Sequence, residues 1–223
     1  MIQLLDAFHW SQLLQPQYYI ENGGLWLLLF VVFAETGLFF GFFLPGDSLL
    51  FVAGIYSAPL AAQIFVSENE WVNLFILFSF ISVAGIVGNY IGYRIGNKVG
   101  PAMYDWKENL LFKKKYLVQA HDFYEKHGGR AIVIARFIPI VRTFAPIVAG
   151  IVKMDKNKFG YFNVIGSIAW VATMLCAGHF LQSYILNHFQ FDLKKHLEVI
   201  VLGIVFVTTA PVVFQVIKHK SNK

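Results

Sequence analysis

Six apolar stretches, each about as long as a bilayer crossing, constrain this chain more than any other feature of its sequence. They cover residues 25–44, 49–66, 71–93, 131–152, 159–186 and 197–217. A helix needs about 20 mainly apolar residues to cross the hydrocarbon core. Only 14% of the 223 residues are charged, against about 25% in soluble domains. The sequence therefore predicts an all-α integral membrane protein and excludes a disordered chain or an ordinary soluble enzyme.

Two of the apolar regions contain charges and helix breakers that a lipid-exposed crossing would tolerate poorly. Region 25–66 carries Glu35, and region 131–152 carries Arg136 and Arg142. A charge at the centre of a crossing costs about 3 kcal/mol. We therefore expect each region to form a re-entrant hairpin that leaves the membrane on the side it entered. The predicted hairpin breaks are Pro45, Gly46, Pro139, Pro146 and Gly150.

The distribution of basic residues supports the two hairpins. Residues 1–93 contain no Lys or Arg, and all 18 basic residues follow. Cytoplasmic loops are enriched in Lys and Arg. If the two regions are re-entrant, segments 94–130 and 153–158 and the C-terminus share one face, with fourteen basic residues against two on the other. If every stretch crosses, the ratio falls to ten against six. The basic segments are therefore predicted to be cytoplasmic.

This assignment predicts an inverted repeat within a single polytopic domain, 1–223. Hairpin 25–66 and span 71–93 are repeated from the opposite side as hairpin 131–152 and span 159–186, with span 197–217 outside the repeat. Segments 1–19 and 110–126 mix apolar and polar residues and are predicted to be short amphipathic helices at the interface. Broken helices in inverted halves are typical of a transporter with a site at the midplane.

The charged residues of the hairpins are the candidate site. Glu35 and Asp47 are predicted to exchange protons, because a carboxyl group in a low dielectric takes up a proton more readily. Asp47 also fits a helix N-cap after the Pro-Gly break. Arg136 and Arg142 are predicted to bind phosphate, since the guanidinium keeps its charge and offers a rigid fork of donors. They also fit a structural role, as ion-pair partners of Glu35 and Asp47.

The remaining polar residues of the spans have less specific patterns. Glycines 88, 92 and 96 have the four-residue spacing of a groove for a neighbouring helix. Asn89 fits either a polar cavity or a helix–helix hydrogen bond, and His179 fits either a proton relay or packing. We find no metalloprotease, P-loop, nucleophile-elbow or Cys/His metal motif. No catalytic activity, metal or cofactor is therefore predicted.

Three motifs resemble the signatures of the DedA family, also called the SNARE-associated or VTT-domain family. The first is Glu35 followed by FFGFFLPGD at 39–47, and the second is GNYIGY at 88–93 with Gly96. The third combines RFIP at 136–139, RTFAP at 142–146 and AG at 149–150. The resemblance covers roughly residues 20–185. Asn89 departs from the acid that is common at its position in the family.

The resemblance implies a polytopic membrane protein with two facing re-entrant hairpins. Bacterial members are linked to proton-dependent transport and to the return of undecaprenyl phosphate across the cytoplasmic membrane, and eukaryotic relatives scramble phospholipids. The family's functional acids fall on Glu35 and Asp47, and its functional arginines on Arg136 and Arg142. The proton role that an acid at position 89 would have does not follow from the resemblance, because this chain has Asn89 there.

The leading hypothesis is a proton-linked translocase for a lipid phosphate, undecaprenyl phosphate or a phospholipid, in the bacterial cytoplasmic membrane. A proton-coupled transporter of small ions and a non-transporting membrane scaffold are the alternatives. The expected partners are membrane lipids, the lipid phosphate and protons, without nucleic acid, and a homo-oligomer is left open. The sequence does not identify the lipid.

Overall fold

The computed structural model describes residues 16–38, 46–105 and 122–189, together with Gly41 and Leu44. Within these ranges the chain is helical and has no strand, which confirms the predicted all-α class. Most of the predicted interfacial segments 1–19 and 110–126, as well as Pro45 and the predicted span 197–217, lie outside the described residues.

The described helices follow one another with short connections. They are α1 Pro16–Gly37, α2 Gly46–Ile55, α3 Ser57–Ala61, α4 Glu70–Asp105, α5 Arg130–Ala135, α6 Pro139–Ile151 and α7 Lys156–Phe189. Residues 122–127 are also helical. The predicted stretch 49–66 contains two short helices rather than one. Pro59 explains the interruption, because it has no N–H to donate to the carbonyl of Ile55.

Helices α4 and α7 are long and apolar enough to cross a bilayer, in Glu70–Gly100 and Lys156–Phe189. Only 39% and 33% of their most apolar windows are buried within the protein. A core helix of a soluble protein would be mostly buried, so these exposed apolar faces fit contact with lipid. Both helices extend beyond the predicted spans 71–93 and 159–186. Hydropathy detects the apolar part of a helix, whereas the hydrogen-bonded ladder continues into polar sequence.

The described chain divides into two compact groups of residues. The first comprises 16–28, Leu44, 46–77 and 174–189, and the second comprises 29–38, Gly41, 78–105 and 122–173. In the first group, α2 packs closely on the C-terminal half of α7. A Cβ on Gly54 would fall on the carbonyl oxygen of Leu175, and one on Gly178 would fall on that of Phe51. Glycine therefore brings these two helix backbones together.

In the second group, α4 packs against the end of α1 and against α6 through its glycines. Gly88 lies against Thr36 and Gly37 of α1. Gly96 lies so close to α6 that a Cβ there would fall on the carbonyl oxygen of Ile147. The predicted helix-packing role of the glycine stripe is confirmed. These close approaches fix the positions of α1 and α6, which carry charged residues of the candidate site.

A turn, a side-chain hydrogen bond and a helix cap define the ends of the α5–α6 region. Gly128 has a φ of +59°, a left-handed conformation that glycine adopts without strain, and it forms the turn before α5. The hydroxyl of Tyr124 donates a hydrogen bond of 3.0 Å to the carbonyl of Ala145, and burial raises the pKa of that hydroxyl. Asp155 caps α7 by accepting hydrogen bonds from the backbone N–H groups of Asn157 and Lys158.

Two alanine substitutions on α4 test the glycine contacts. Gly96→Ala is expected to lower the free energy of unfolding in detergent by about 1–3 kcal/mol, because the added methyl group separates α4 from α6. Gly85→Ala is the matched control, since its Cβ would meet Trp170 at 3.9 Å, an ordinary contact. It is expected to leave stability within about 1 kcal/mol of the parent. Equal stability of both variants would contradict the packing described above.

Candidate functional site

Glu35 and Arg142 form a buried ion pair in the second group. Glu35 lies in the last turn of α1, and Arg142 lies at the start of α6. The exposed fractions of their side chains are 3% and 7%. Their charges are therefore shielded from solvent by the protein, and each compensates the other. An ion pair with Glu35 was one of the two roles predicted for Arg142, and the structure contains it.

Because Glu35 and Arg142 lie at helix ends, each gains more stabilisation from the ion pair. A helix C-terminus disfavours an anion, and a helix N-terminus disfavours a cation. Glu35 and Arg142 occupy these unfavourable ends of α1 and α6. Each charge is therefore destabilised by its own helix and stabilised by its partner. Breaking a buried pair by removing one member costs about 3–5 kcal/mol.

Trp170 of α7 provides a second contact for Arg142. The guanidinium carbon lies 4.9 Å from the centre of the indole ring, within the range of a cation–π interaction. The indole is fully buried. This contact holds the face of the guanidinium, while its Nη2 donates to the carboxylate of Glu35. Sequence analysis missed Trp170, because an aromatic residue within an apolar span looks like ordinary packing.

Arg136 is buried but has a different kind of partner. It lies in the turn between α5 and α6 and is 5% exposed. Its Nη2 donates a hydrogen bond of 2.6 Å to the side-chain oxygen of Asn163, and its Nε has no hydrogen-bond partner. No described carboxylate of the second group forms a salt bridge with it. Within this group, the partner of Arg136 is Asn163 rather than the predicted acid Glu35.

Asn163 of α7 is the centre of a buried polar network. Its side-chain oxygen accepts hydrogen bonds from Arg136 and, at 2.8 Å, from Asn89 of α4. Its side-chain nitrogen donates to the carbonyl of Ile86 at 3.1 Å. The hydroxyl of Ser167 donates to the backbone carbonyl of Asn163 at 2.8 Å. One neutral amide thus joins α4 and α7 to the turn that carries Arg136.

The roles of Asn89 and Asn163 were only partly predicted from the sequence. Of the two roles predicted for Asn89, the structure shows the helix–helix hydrogen bond. Sequence analysis missed Asn163. The available signal was its position with Ser167, four residues apart within an apolar span, which places both on one helix face.

The predicted helix breaks have different structural roles. Gly46 begins α2 and Pro139 begins α6, as expected for residues at a hairpin tip. Helix α6 continues through Pro146 and Gly150, so the prediction that they break it is wrong. Pro146 leaves the carbonyl of Arg142 without its usual helical donor. Gly150 lets α6 approach the backbone of Tyr93.

Asp47 and His179 belong to the first group. Asp47 lies in the first turn of α2 and is half-buried, and an anion at a helix N-terminus is stabilised. The helix begins at Gly46, so Asp47 follows the cap rather than forming it. His179 lies 3.5 Å from the carboxylate of Glu70. In the part of the chain that the structure describes, no three His, Cys, Asp or Glu side chains are grouped to hold a metal ion.

Comparison with known proteins gives consistent results. The VTT domain profile matches residues 25–180. Protein DedA of Escherichia coli strain K12 is 38% identical over 204 residues, which cover 90% of this chain and 87% of that protein. Inner membrane protein YqjA of the same strain is 32% identical over 188 residues, covering 81% and 78%.

An uncharacterized membrane protein of Mycobacterium tuberculosis strain H37Rv is 36% identical over 205 residues, covering 89% of this chain and 84% of the relative. No solved structure matches the chain. The profile match covers more than half of the sequence, and the relatives are similar over nearly their full length. The chain belongs to the VTT-domain, or DedA, family of membrane proteins.

Proposed function

We propose that this protein translocates a lipid phosphate across the bacterial cytoplasmic membrane and couples the movement to protons. The observation that carries the proposal is the buried Glu35–Arg142 ion pair beside Arg136, a buried arginine that binds a neutral amide. The proposed substrate is undecaprenyl phosphate or a phospholipid, as the resemblance implied. Its phosphate would bind in the protein while its hydrocarbon tail stays in lipid.

Arg136 is proposed to make the first contact with the phosphate. Its hydrogen bond to Asn163 fixes the guanidinium without neutralising it. Its Nε still has a donor to offer. A buried cation without a counter-ion is costly, so an entering anion would gain free energy by compensating it. The bidentate fork of arginine suits a phosphate group.

Protonation of Glu35 is proposed to release Arg142 for the same phosphate. While Glu35 is ionised, its charge competes with the substrate for Arg142. A proton removes that charge, so the phosphate no longer competes with a carboxylate of Glu35 for the guanidinium and can bind it through a second oxygen. Loss of the proton restores the ion pair and expels the phosphate. Asp47 is proposed as a second proton-exchanging acid on α2, by its match to the family motif.

The helix lengths support the proposed re-entrant topology. Helix α2 has 10 residues and α6 has 13. At about 1.5 Å per residue they extend about 15 and 20 Å, well short of a hydrocarbon core of about 30 Å. Helices α4 and α7, with 36 and 34 residues, exceed that thickness. We therefore propose two half-crossing regions, with segments 94–130 and 153–158 on the cytoplasmic side.

The ion pair can be tested by charge removal in reconstituted liposomes. Glu35→Gln and Arg142→Gln are each expected to slow translocation of a lipid phosphate at least about tenfold, as expected when an interaction of more than 1.4 kcal/mol is lost. Glu35→Gln is also expected to reduce the dependence on an imposed pH gradient, because its side chain cannot take up a proton and only Asp47 of the two proposed acids remains. The measurement is the accessibility of the head group on the outer leaflet.

The double variant Glu35→Gln/Arg142→Gln separates transport from folding. It removes both members of the ion pair, so its thermal stability is expected to be closer to the parent than that of either single variant, while translocation remains slow. The control is Glu125→Gln/Lys126→Gln, which removes two exposed charges. Parental translocation by the double variant would support the scaffold alternative. Proton-coupled flux of small ions without lipid movement would support the ion transporter.

A carboxylate introduced at position 163 tests the role of Arg136. Asn163→Asp is expected to give Arg136 a permanent counter-ion and reduce translocation at least about tenfold, without loss of folded protein. Lower pH is expected to recover activity by protonating the introduced group. The matched control is Asn157→Asp, the same change at an exposed position of α7. Unchanged translocation in Asn163→Asp would exclude Arg136 as the phosphate site.

A further inference from the structure

A second cluster of basic side chains lies at the junction of α4 and the start of α7, outside the candidate site. A surface groove of about 450 Å³ is lined by Arg94, Lys98, Lys156, Tyr90, Tyr93 and Asn97. Arg94 and Lys98 are four residues apart on one face of α4, and Lys156 is the first residue of α7. All the lining residues belong to the second group. Three cations therefore meet around one opening.

The ring of Tyr90 lies close to two of these cations. The guanidinium carbon of Arg94 lies 6.0 Å from the centre of the Tyr90 ring, and Nζ of Lys156 lies 5.9 Å from the same centre. Two positive charges near one ring repel each other, and the ring offsets only part of this repulsion. A bound anion would offset the rest. This pattern differs from cations that are scattered along a solvated helix.

The tyrosine wall of the groove is fixed by packing. Tyr93 is buried, stacks on Phe159 with ring centres 4.4 Å apart, and donates a hydrogen bond to the carbonyl of Met154. Tyr90 also contacts Phe159, at 6.1 Å between ring centres. These contacts connect α4 to the start of α7. The cations are therefore presented by a preformed surface, so binding would require little reordering of the backbone.

The described acids leave the three cations available. No described carboxylate of the second group forms a salt bridge with Arg94, Lys98 or Lys156. Asp155 precedes Lys156, but its Oδ1 already accepts two backbone hydrogen bonds as the cap of α7. The three cations outnumber the one nearby carboxylate, that of Asp155, so the groove keeps a net positive charge beside one neutral amide, that of Asn97. This chemistry suits a phosphate.

The flanking surfaces indicate that the phosphate belongs to a membrane lipid. On α4, Val83 and Val87 are exposed within about three turns of Arg94, and on α7, Val164 is exposed about two turns from Lys156. Both helices therefore change from an apolar outer face to a basic one at this groove. Tyrosine and basic side chains at the end of an apolar helix are typical of the head-group region.

We infer that this groove binds the phosphate head group of an anionic phospholipid at the cation-rich face of the membrane. The phosphate would lie among Arg94, Lys98 and Lys156, with the acyl chains along the apolar faces of α4 and α7. This proposal does not depend on translocation, since it concerns other residues and a lipid that stays in its leaflet.

Lipid binding to the delipidated full-length protein tests the inference. Native mass spectrometry in detergent would compare phosphatidylglycerol with phosphatidylcholine, which has no net charge. The Lys98→Gln/Lys156→Gln variant is expected to bind phosphatidylglycerol at least about tenfold more weakly, given the contribution of each basic residue near an anionic surface. Phosphatidylcholine binding is expected to be unchanged. The two lysines are exposed, so folding is expected to be preserved, and a thermal melt checks this.

The matched control is Lys126→Gln/Arg130→Gln, which removes two exposed cations that do not line the groove. It is expected to retain parental affinity for phosphatidylglycerol. An equal loss in both variants would overturn the inference, because it would indicate general attraction to positive charge. Competition by soluble glycerol phosphate as effective as that by phosphatidylglycerol would also overturn it, in favour of a site for free phosphate.

Discussion

The buried ion pair between Glu35 and Arg142 is the interaction on which the candidate site depends. It joins the end of α1 to the start of α6, two helix ends that each disfavour the charge they carry. Removal of either charge would take from the other the buried ion pair that stabilises it. The ion pair is therefore a structural connection, and we propose that it is also a chemical switch, since one proton on Glu35 would remove the attraction. This dual character underlies the proposed coupling of transport to protons.

Two arginines with different partners give the site its asymmetry. Arg142 is neutralised by a carboxylate, whereas Arg136 is held by the neutral amide of Asn163. An amide orients a guanidinium but does not satisfy its charge. We propose that this difference gives the site one cation ready for a phosphate and a second that becomes available on protonation. The glycine contacts of α4 hold it close to α1 and α6, the helices that carry Glu35 and Arg142.

Much of the fold followed from local patterns, and the errors have identifiable causes. Apolar length located α4 and α7, and the spacing of the glycines at 88, 92 and 96 predicted the close packing of α4 against neighbouring helices, which are α1 and α6. Proline was a less reliable guide, because Pro146 lies within α6 rather than at its end. In the site, charge within apolar sequence identified Glu35 and Arg142. Asn163 and Trp170 were missed because an isolated amide or indole in a span has no distinctive local pattern.

The sequence by itself determined that the chain is an all-α membrane protein, because the length of the apolar stretches and the scarcity of charge within them are local properties that need no tertiary contact. It also identified the acids and arginines, since a charge buried in apolar sequence is costly whatever its partner. Only the tertiary structure decided the partners of the two arginines, Glu35 for Arg142 and Asn163 for Arg136. Those contacts join residues 107 and 27 positions apart, and their geometry depends on how the helix backbones approach one another.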